Sequence, residues 1–245
     1  MRRAAEMTKS STKIKPTKPA DVAAPAHFLE AHNHNLLPDH DCALCPRLQA
    51  FRHENRTKQP GWFNAPVPAF GPASAPLLIV GLAPGLQGAN RTGRPFTGDY
   101  AGDLLYSTLL EFGFAEGRYA ATPDDGLMLR DCRIANAVHC VPPQNKPLPQ
   151  EINTCRQFLK ARIQEMSNLR AIVALGRVAH ESTVKALAMS AARAPFAHGA
   201  VHDAGKLGLY DSYHCSRYNT NTGVLTTDMF RAVFARVRRD LDHAA

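Results

Sequence analysis

The 245-residue chain holds no apolar run near the length of a membrane span, so no helical membrane segment is expected. Its first residues, MRRAAEMTKSSTKIKPTKPADVAAPAH, lack the apolar stretch of a secretory signal. A cytoplasmic, nucleoid-associated protein is therefore expected. Without export, the six cysteines are not expected to form a disulfide framework. Neither G-x-G-x-x-G nor G-x-x-x-x-G-K-[ST] occurs in the glycine-rich stretch from Gly81 to Gly93, which removes two common nucleotide-binding signatures. There is no internal repeat and no low-complexity segment in the body of the chain. Acidic residues are also short: 21 Asp and Glu face 29 Lys and Arg, giving a net charge of +8. That balance favours a polyanionic partner.

What is present is enough for one sizeable domain, since hydrophobic residues make up 44% of the chain. Residues 1–25, basic and rich in Ser, Thr, Lys and Pro, read as a disordered tail, and 26–245 as a single domain. Pro60 to Pro76 is dense in proline and glycine and reads as an extended wrap. Beyond it, strands and helices alternate. Strands are predicted over 77–84, 132–140, 170–176 and 208–216, and helices over 101–113, 149–166, 177–189 and 227–241. Alternation of this kind predicts a mainly parallel, four-stranded sheet with helices on both faces. Ligands of such sheets bind beyond the carboxyl ends of the strands. Those ends carry GLAPG, NAVHC, LGR and SYHCSR, so four loops are expected to converge there.

Cys42 and Cys45 form a C-x-x-C pair, and Cys140 and Cys155 flank a proline-rich turn that leads into a helix. Together they could supply four thiolates, which suit either zinc or an iron–sulfur cluster; spacing does not separate the two. His32, His34 and His40 offer a further zinc arrangement with Cys42 and Cys45. Cys132 and Cys215 lie inside predicted strands and read as core.

The stretch GLAPGLQGANRTGRPFTGD (Gly81 to Asp99) follows an apolar strand, and with NAVHCVPPQNKP and SYHCSRYNTNTG it resembles the uracil-DNA glycosylase superfamily, most closely its type-5 branch. The resemblance runs from about Cys42 to the last helix. It implies a three-layer α/β/α sandwich, hydrolysis of the N-glycosidic bond of deaminated bases in DNA, and a 4Fe-4S cluster on Cys42, Cys45, Cys140 and Cys155. It also implies DNA containing deaminated bases as partner, and a monomer is expected.

Such chemistry requires the base to be turned out of the helix and read in a pocket. Backbone amides near Ala83 and Gly85 would meet a base carbonyl, and Gly81 and Gly85 let the chain approach closely. Phe96 would stack on the base. The Asn136 carboxamide matches N3–H and O4 of uracil. His214 would donate to O2 of the departing base. Asp99 would stabilise the sugar cation or orient the attacking water; it also stands where an N-cap would, before a helix starting near Ala101. Ala83 occupies a position where better-known branches carry a polar or acidic residue. That makes Asp99 the carboxylate of choice and implies a broad range of deaminated bases, including hypoxanthine and xanthine. Tyr218 falls at the wedge position, with Arg217 beside it, and Arg91, Arg94 and Arg217 are candidate phosphate contacts. A competing class is a non-catalytic iron–sulfur or zinc protein that binds nucleic acid; it would have no need of Asp99, Asn136 and His214 together.

Overall fold

The computed structural model describes residues 37–243; the expected tail over 1–25, and His32 and His34, lie outside the described residues. Helix α1 (Pro46–Lys58) comes first. The sheet strands are β1 (Leu77–Gly81), β4 (Cys132–Asn136), β5 (Ala171–Leu175), β6 (Val201–Asp203) and β7 (Gly208–Ser212). Between β1 and β4 lie the short α2 (Ala89–Thr92), α3 (Tyr100–Glu111) and a small antiparallel hairpin of β2 (Ala115–Glu116) and β3 (Met128–Leu129). Helix α4 (Pro149–Glu165) leads to β5, and α5 (Arg177–Ala186) follows it. The chain ends on α6 (Arg217–Asn221) and α7 (Thr227–His243). Among the described residues, no helix is long and apolar enough to cross a membrane.

The strand order is β4-β1-β5-β7-β6, parallel except for β6, which runs antiparallel on β7. The sheet thus has five strands rather than the expected four. The additional strand is three residues long, Val-His-Asp, and only partly buried, so no apolar run announces it. Three predicted strands also end several residues early, the first of them at Gly81. The second stops at Asn136 and the fourth at Ser212, after which the chain turns out at the carboxyl edge. Residues 137 and 138 remain tied there, because Ala137 N donates to Gly81 O (2.9 Å) and Val138 N to Leu82 O (3.0 Å).

Side-chain alternation along the strands splits the core in two. Leu77 and Ile79, with Ile134 and Val173, face Leu105 and Leu109 of α3 and Phe230, Phe234 and Val237 of α7. Leu78 and Val80, with Ala135, Ile172 and Ala174, face Leu159 of α4 and Ala179 and Val184 of α5. Helices therefore cover both faces, in the three-layer α/β/α arrangement. All five positions of β1, β4 and β5 are buried, as a two-sided parallel sheet demands.

Candidate active site

The register of the sheet brings the site residues to one edge. Gly81, the last residue of β1, pairs with Asn136, the last residue of β4. Leu175 pairs with Ser212, and Gly176 N donates to Ser212 O (2.7 Å), which places His214 two residues beyond. A Cβ on Gly176 would lie 3.3 Å from Cβ of His214. The Phe96 and His214 rings stack with centroids 5.9 Å apart and planes 26° apart. A Cβ on Gly81 would strike Asn136 Oδ1 and sit 2.7 Å from Cζ of Phe96. Gly81 is thus bare because two site side chains occupy the space a methyl would need.

Gly85 and Gly88 of the loop serve Asp99. A Cβ on Gly85 would lie 2.8 Å from Asp99 Oδ2, and one on Gly88 would collide with the same oxygen. Asp99 is the residue before α3, in extended conformation, yet its side chain makes no capping hydrogen bond. Its Oδ1 is buried without a hydrogen-bond partner. Burial raises the carboxyl above the ordinary aspartate value, while the amides of Ala101 and Gly102 pull it back only in part. A carboxylate desolvated in this way is a candidate for function as well as for capping. Burial also pulls His214 down to about 4, so the imidazole is neutral at physiological pH and offers one N–H donor. Asn219 Nδ2 donates to the His214 carbonyl (2.8 Å), fixing the backbone from the far side.

Outside this edge the residues separate. Tyr218, on the first turn of α6, is 74% exposed, the most exposed of the large hydrophobic side chains among the described residues. Arg217 beside it packs its guanidinium 5.2 Å from the Tyr100 ring. Ser216 caps the helix by accepting from Asn219 N (3.4 Å). Arg91 is exposed. Arg94 is not available to phosphate, which corrects the sequence expectation. It is 2% exposed and bonded through both terminal nitrogens to Asp125 (2.9 and 2.7 Å). Ala83 packs against the group formed by Leu48, Val138, Cys140 and Cys155.

That group belongs to a second feature. Cys42, Cys45, Cys140 and Cys155 line one pocket with Leu48, Val138 and Phe158. They come from the start of α1, the loop after β4, and α4. Burial pushes the Cys140 thiol up to about 11 and Cys155 to about 12, and the other cysteines push each further. Thiols raised in this way stay protonated unless a metal centre draws off their protons. Arg52 of α1, 1% exposed, directs Nη1 at Cys140 Sγ (3.2 Å) and Nη2 at Cys42 O (2.9 Å). The His139 amide lies 3.4 Å from Cys155 Sγ. Donors aimed at sulfur are what a thiolate-held centre needs around it, so the residues fit a four-cysteine site. His40 is turned elsewhere, its Nδ1 3.1 Å from Arg56 Nη2. Cys132 and Cys215 are fully buried and outside the pocket.

Sequence reasoning missed several residues here. His180, His202 and Asp211 form a buried group: His180 Nδ1 lies 2.7 Å from Asp211 Oδ1, and His202 Nε2 lies 3.0 Å from Oδ2. The second nitrogen of His180 faces Ala194 O (2.9 Å), so these polar groups satisfy one another and tie α5, β6 and β7 together. Arg52 and the tyrosines behind Phe96 were missed as well; all read singly as surface or core.

The Uracil DNA glycosylase superfamily model matches residues 68–238. The chain is 42% identical over 205 residues to a type-5 uracil-DNA glycosylase of Thermus thermophilus, covering 81% of this chain and 93% of that protein. It is 38% identical over 204 residues to a type-5 enzyme of Pyrobaculum aerophilum, covering 82% and 89%. A type-4 uracil-DNA glycosylase of Thermotoga maritima matches at 36% over 139 residues, 56% of this chain and 58% of that protein. With its sheet, its edge loops and most of its length so matched, the chain belongs to the uracil DNA glycosylase superfamily, in the type-5 branch.

Proposed function

We propose that the protein is a monofunctional DNA glycosylase that removes uracil from DNA, acting as a monomer in base excision repair, with hypoxanthine and xanthine as further substrates. The observation that carries this reading is the meeting of Phe96, Asn136, His214 and Asp99 around Gly81, Gly85 and Gly88 at one sheet edge. In this reading the flipped base stacks on Phe96 and pairs its N3–H and O4 with the Asn136 carboxamide. As the N-glycosidic bond breaks, its electron pair leaves with the base. Neutral His214 donates a hydrogen bond to O2, where the negative charge gathers. The deoxyribose carbon becomes cationic, and the desolvated Asp99 carboxylate faces that charge. Water then adds to the carbon, and its proton passes to Asp99 and on to solvent. Tyr218 fills the gap left in the duplex, and Arg217 and Arg91 meet phosphates.

The four cysteines would hold a 4Fe-4S cluster, which when bound fastens α1 to α4 and to the loop after β4. Ala83 rests on that pocket, so the cluster's support reaches the first residues of the glycine loop. The deciding experiment incubates the protein with duplexes that carry one uracil, hypoxanthine or xanthine, followed by alkali. Strand scission at the damaged position is expected. Intact strands for all three, with DNA binding retained, would point to a non-catalytic role.

A further inference from the structure

Phe96 has a bulky side chain on a backbone with φ of 52°, a left-handed conformation that costs a non-glycine residue energy. It persists only if its surroundings hold it, and here they hold four consecutive residues. The Arg94 guanidinium grips Asp125, and its Nε donates to Thr97 Oγ1 (2.7 Å). Tyr106 Oη donates to Pro95 O (2.6 Å). Tyr119 Oη donates to Phe96 O (3.1 Å). Thr97 O accepts from Thr92 Oγ1 (3.1 Å). The two phenols stack on each other at 4.6 Å, and the Arg94 guanidinium lies over both rings. Gly102 is bare because a Cβ there would collide with Phe96 O and Tyr119 Oη.

Tyr119 is presented by the loop between β2 and β3. Asp125 ties that loop down by accepting from Ala120 N (2.9 Å) and Leu127 N (3.0 Å) while it holds Arg94. The hairpin, which no catalytic step uses, is therefore bonded at two points to the segment that bears Phe96. Burial pushes the Tyr119 phenol up to about 12, which keeps it a donor at any physiological pH.

We propose that Tyr119 is a positioning residue for base excision: its hydroxyl holds the strained Phe96 backbone so that the ring is set in place before a base arrives. This rests on the reading of Phe96 as the wall on which the base stacks. The test is a double-mutant cycle of Tyr119→Phe and Phe96→Ala, read by single-turnover cleavage of a uracil duplex at saturating protein, with a thermal melt and affinity for undamaged duplex beside it. Loss of one hydrogen bond predicts that Tyr119→Phe slows cleavage by about 2- to 12-fold, with affinity for undamaged DNA unchanged. Phe96→Ala should be slower still, and adding Tyr119→Phe to it should cost no more. Equal slowing by Tyr119→Phe in both backgrounds would overturn the proposal, because the phenol would then act elsewhere. Parent-rate cleavage by Tyr119→Phe beside a slow Phe96→Ala would overturn it and leave the stacking wall intact. Parent-rate cleavage by Phe96→Ala would overturn both. A purely structural role would lower the melting temperature and leave the saturated rate alone, which also overturns it.

Discussion

Replacing Asp99 with Asn separates catalysis from helix capping. The exchange keeps shape and removes charge. If Asp99 were a working cap, losing it altogether would cost about 1 kcal/mol, and Asn would replace it almost without loss. The structure predicts something different. The carboxylate makes no capping bond of ordinary geometry, its Oδ1 has no partner, and burial holds its pKa up against the pull of the Ala101 and Gly102 amides. A raised carboxyl means that the folded state prefers the proton. The penalty is absent below the unfolded value of 3.8, grows as pH rises through the folded value, and is fully present at neutral pH. Relief of an unpartnered buried group is worth on the order of 1 kcal/mol, or about 2–4 °C in a domain of this size. Asp99→Asn should therefore melt at the parent temperature or a few degrees above it at pH 7.5. Its single-turnover rate on a uracil duplex should fall by about 10² or more, some 2.7 kcal/mol of transition-state stabilisation. A variant that cleaves at the parent rate and melts lower would refute the reasoning and make Asp99 a cap.

The parent rate should drop in acid as the carboxyl of Asp99 takes up its proton, at a midpoint above 3.8, and a pH profile should show no inflection near 6.5, because His214 titrates at about 4. An inflection near 6.5 that vanishes in His214→Gln would show that the imidazolium is needed instead. Gly88→Ala should displace the Asp99 carboxylate and approach the rate loss of Asp99→Asn, measured in the same assay, with α3 intact by circular dichroism. Serine at Cys42, Cys45, Cys140 or Cys155 should abolish iron and sulfide content, whereas serine at Cys132 or Cys215 should leave both unchanged, as colorimetric iron and sulfide assays will show. Affinity for duplex DNA should fall steeply as salt rises, because each phosphate contact releases counterions; a flat salt titration would count against phosphate contacts by Arg91 and Arg217.

The parallel sheet was legible because its strands are buried on both faces: LLIVG and AIVAL stand out as unbroken apolar runs. Helix α1 was not, since its buried face is made of Leu48, Arg52 and Asn55, and hydrophobic periodicity cannot register a buried guanidinium. Strand β6 was hidden for the converse reason, being polar and pressed onto an edge. Arg94 was misread because its charge is visible in the sequence while its partner, Asp125, lies 31 residues away across a hairpin. The cysteine pocket was legible in its four thiols, which motif spacing exposes, but not in Arg52, whose approach to Cys140 depends on how α1 packs. The general rule is physical: patterns that repeat along the chain survive in the sequence, whereas a polar pair made by tertiary packing leaves no periodic trace.

The glycine-rich loop illustrates the limit of motif reading. A strand running into glycines suggests amides aimed at a phosphate. Here the glycines instead vacate space for the protein's own side chains. Gly81 makes room for Asn136 and Phe96, Gly85 and Gly88 for the Asp99 carboxylate, and Gly102 for the Tyr119 hydroxyl. Each missing Cβ lets a side chain come within van der Waals contact of the backbone at that position. Carboxamide and ring thus close on Gly81, and the carboxylate on Gly85 and Gly88. A carboxylate set so tightly is desolvated, which is why Asp99 carries a raised pKa and an orphaned oxygen. The loop's composition and the electrostatics of the site therefore share one origin: close packing around Asp99 requires glycine at 85 and 88 and desolvates the carboxylate.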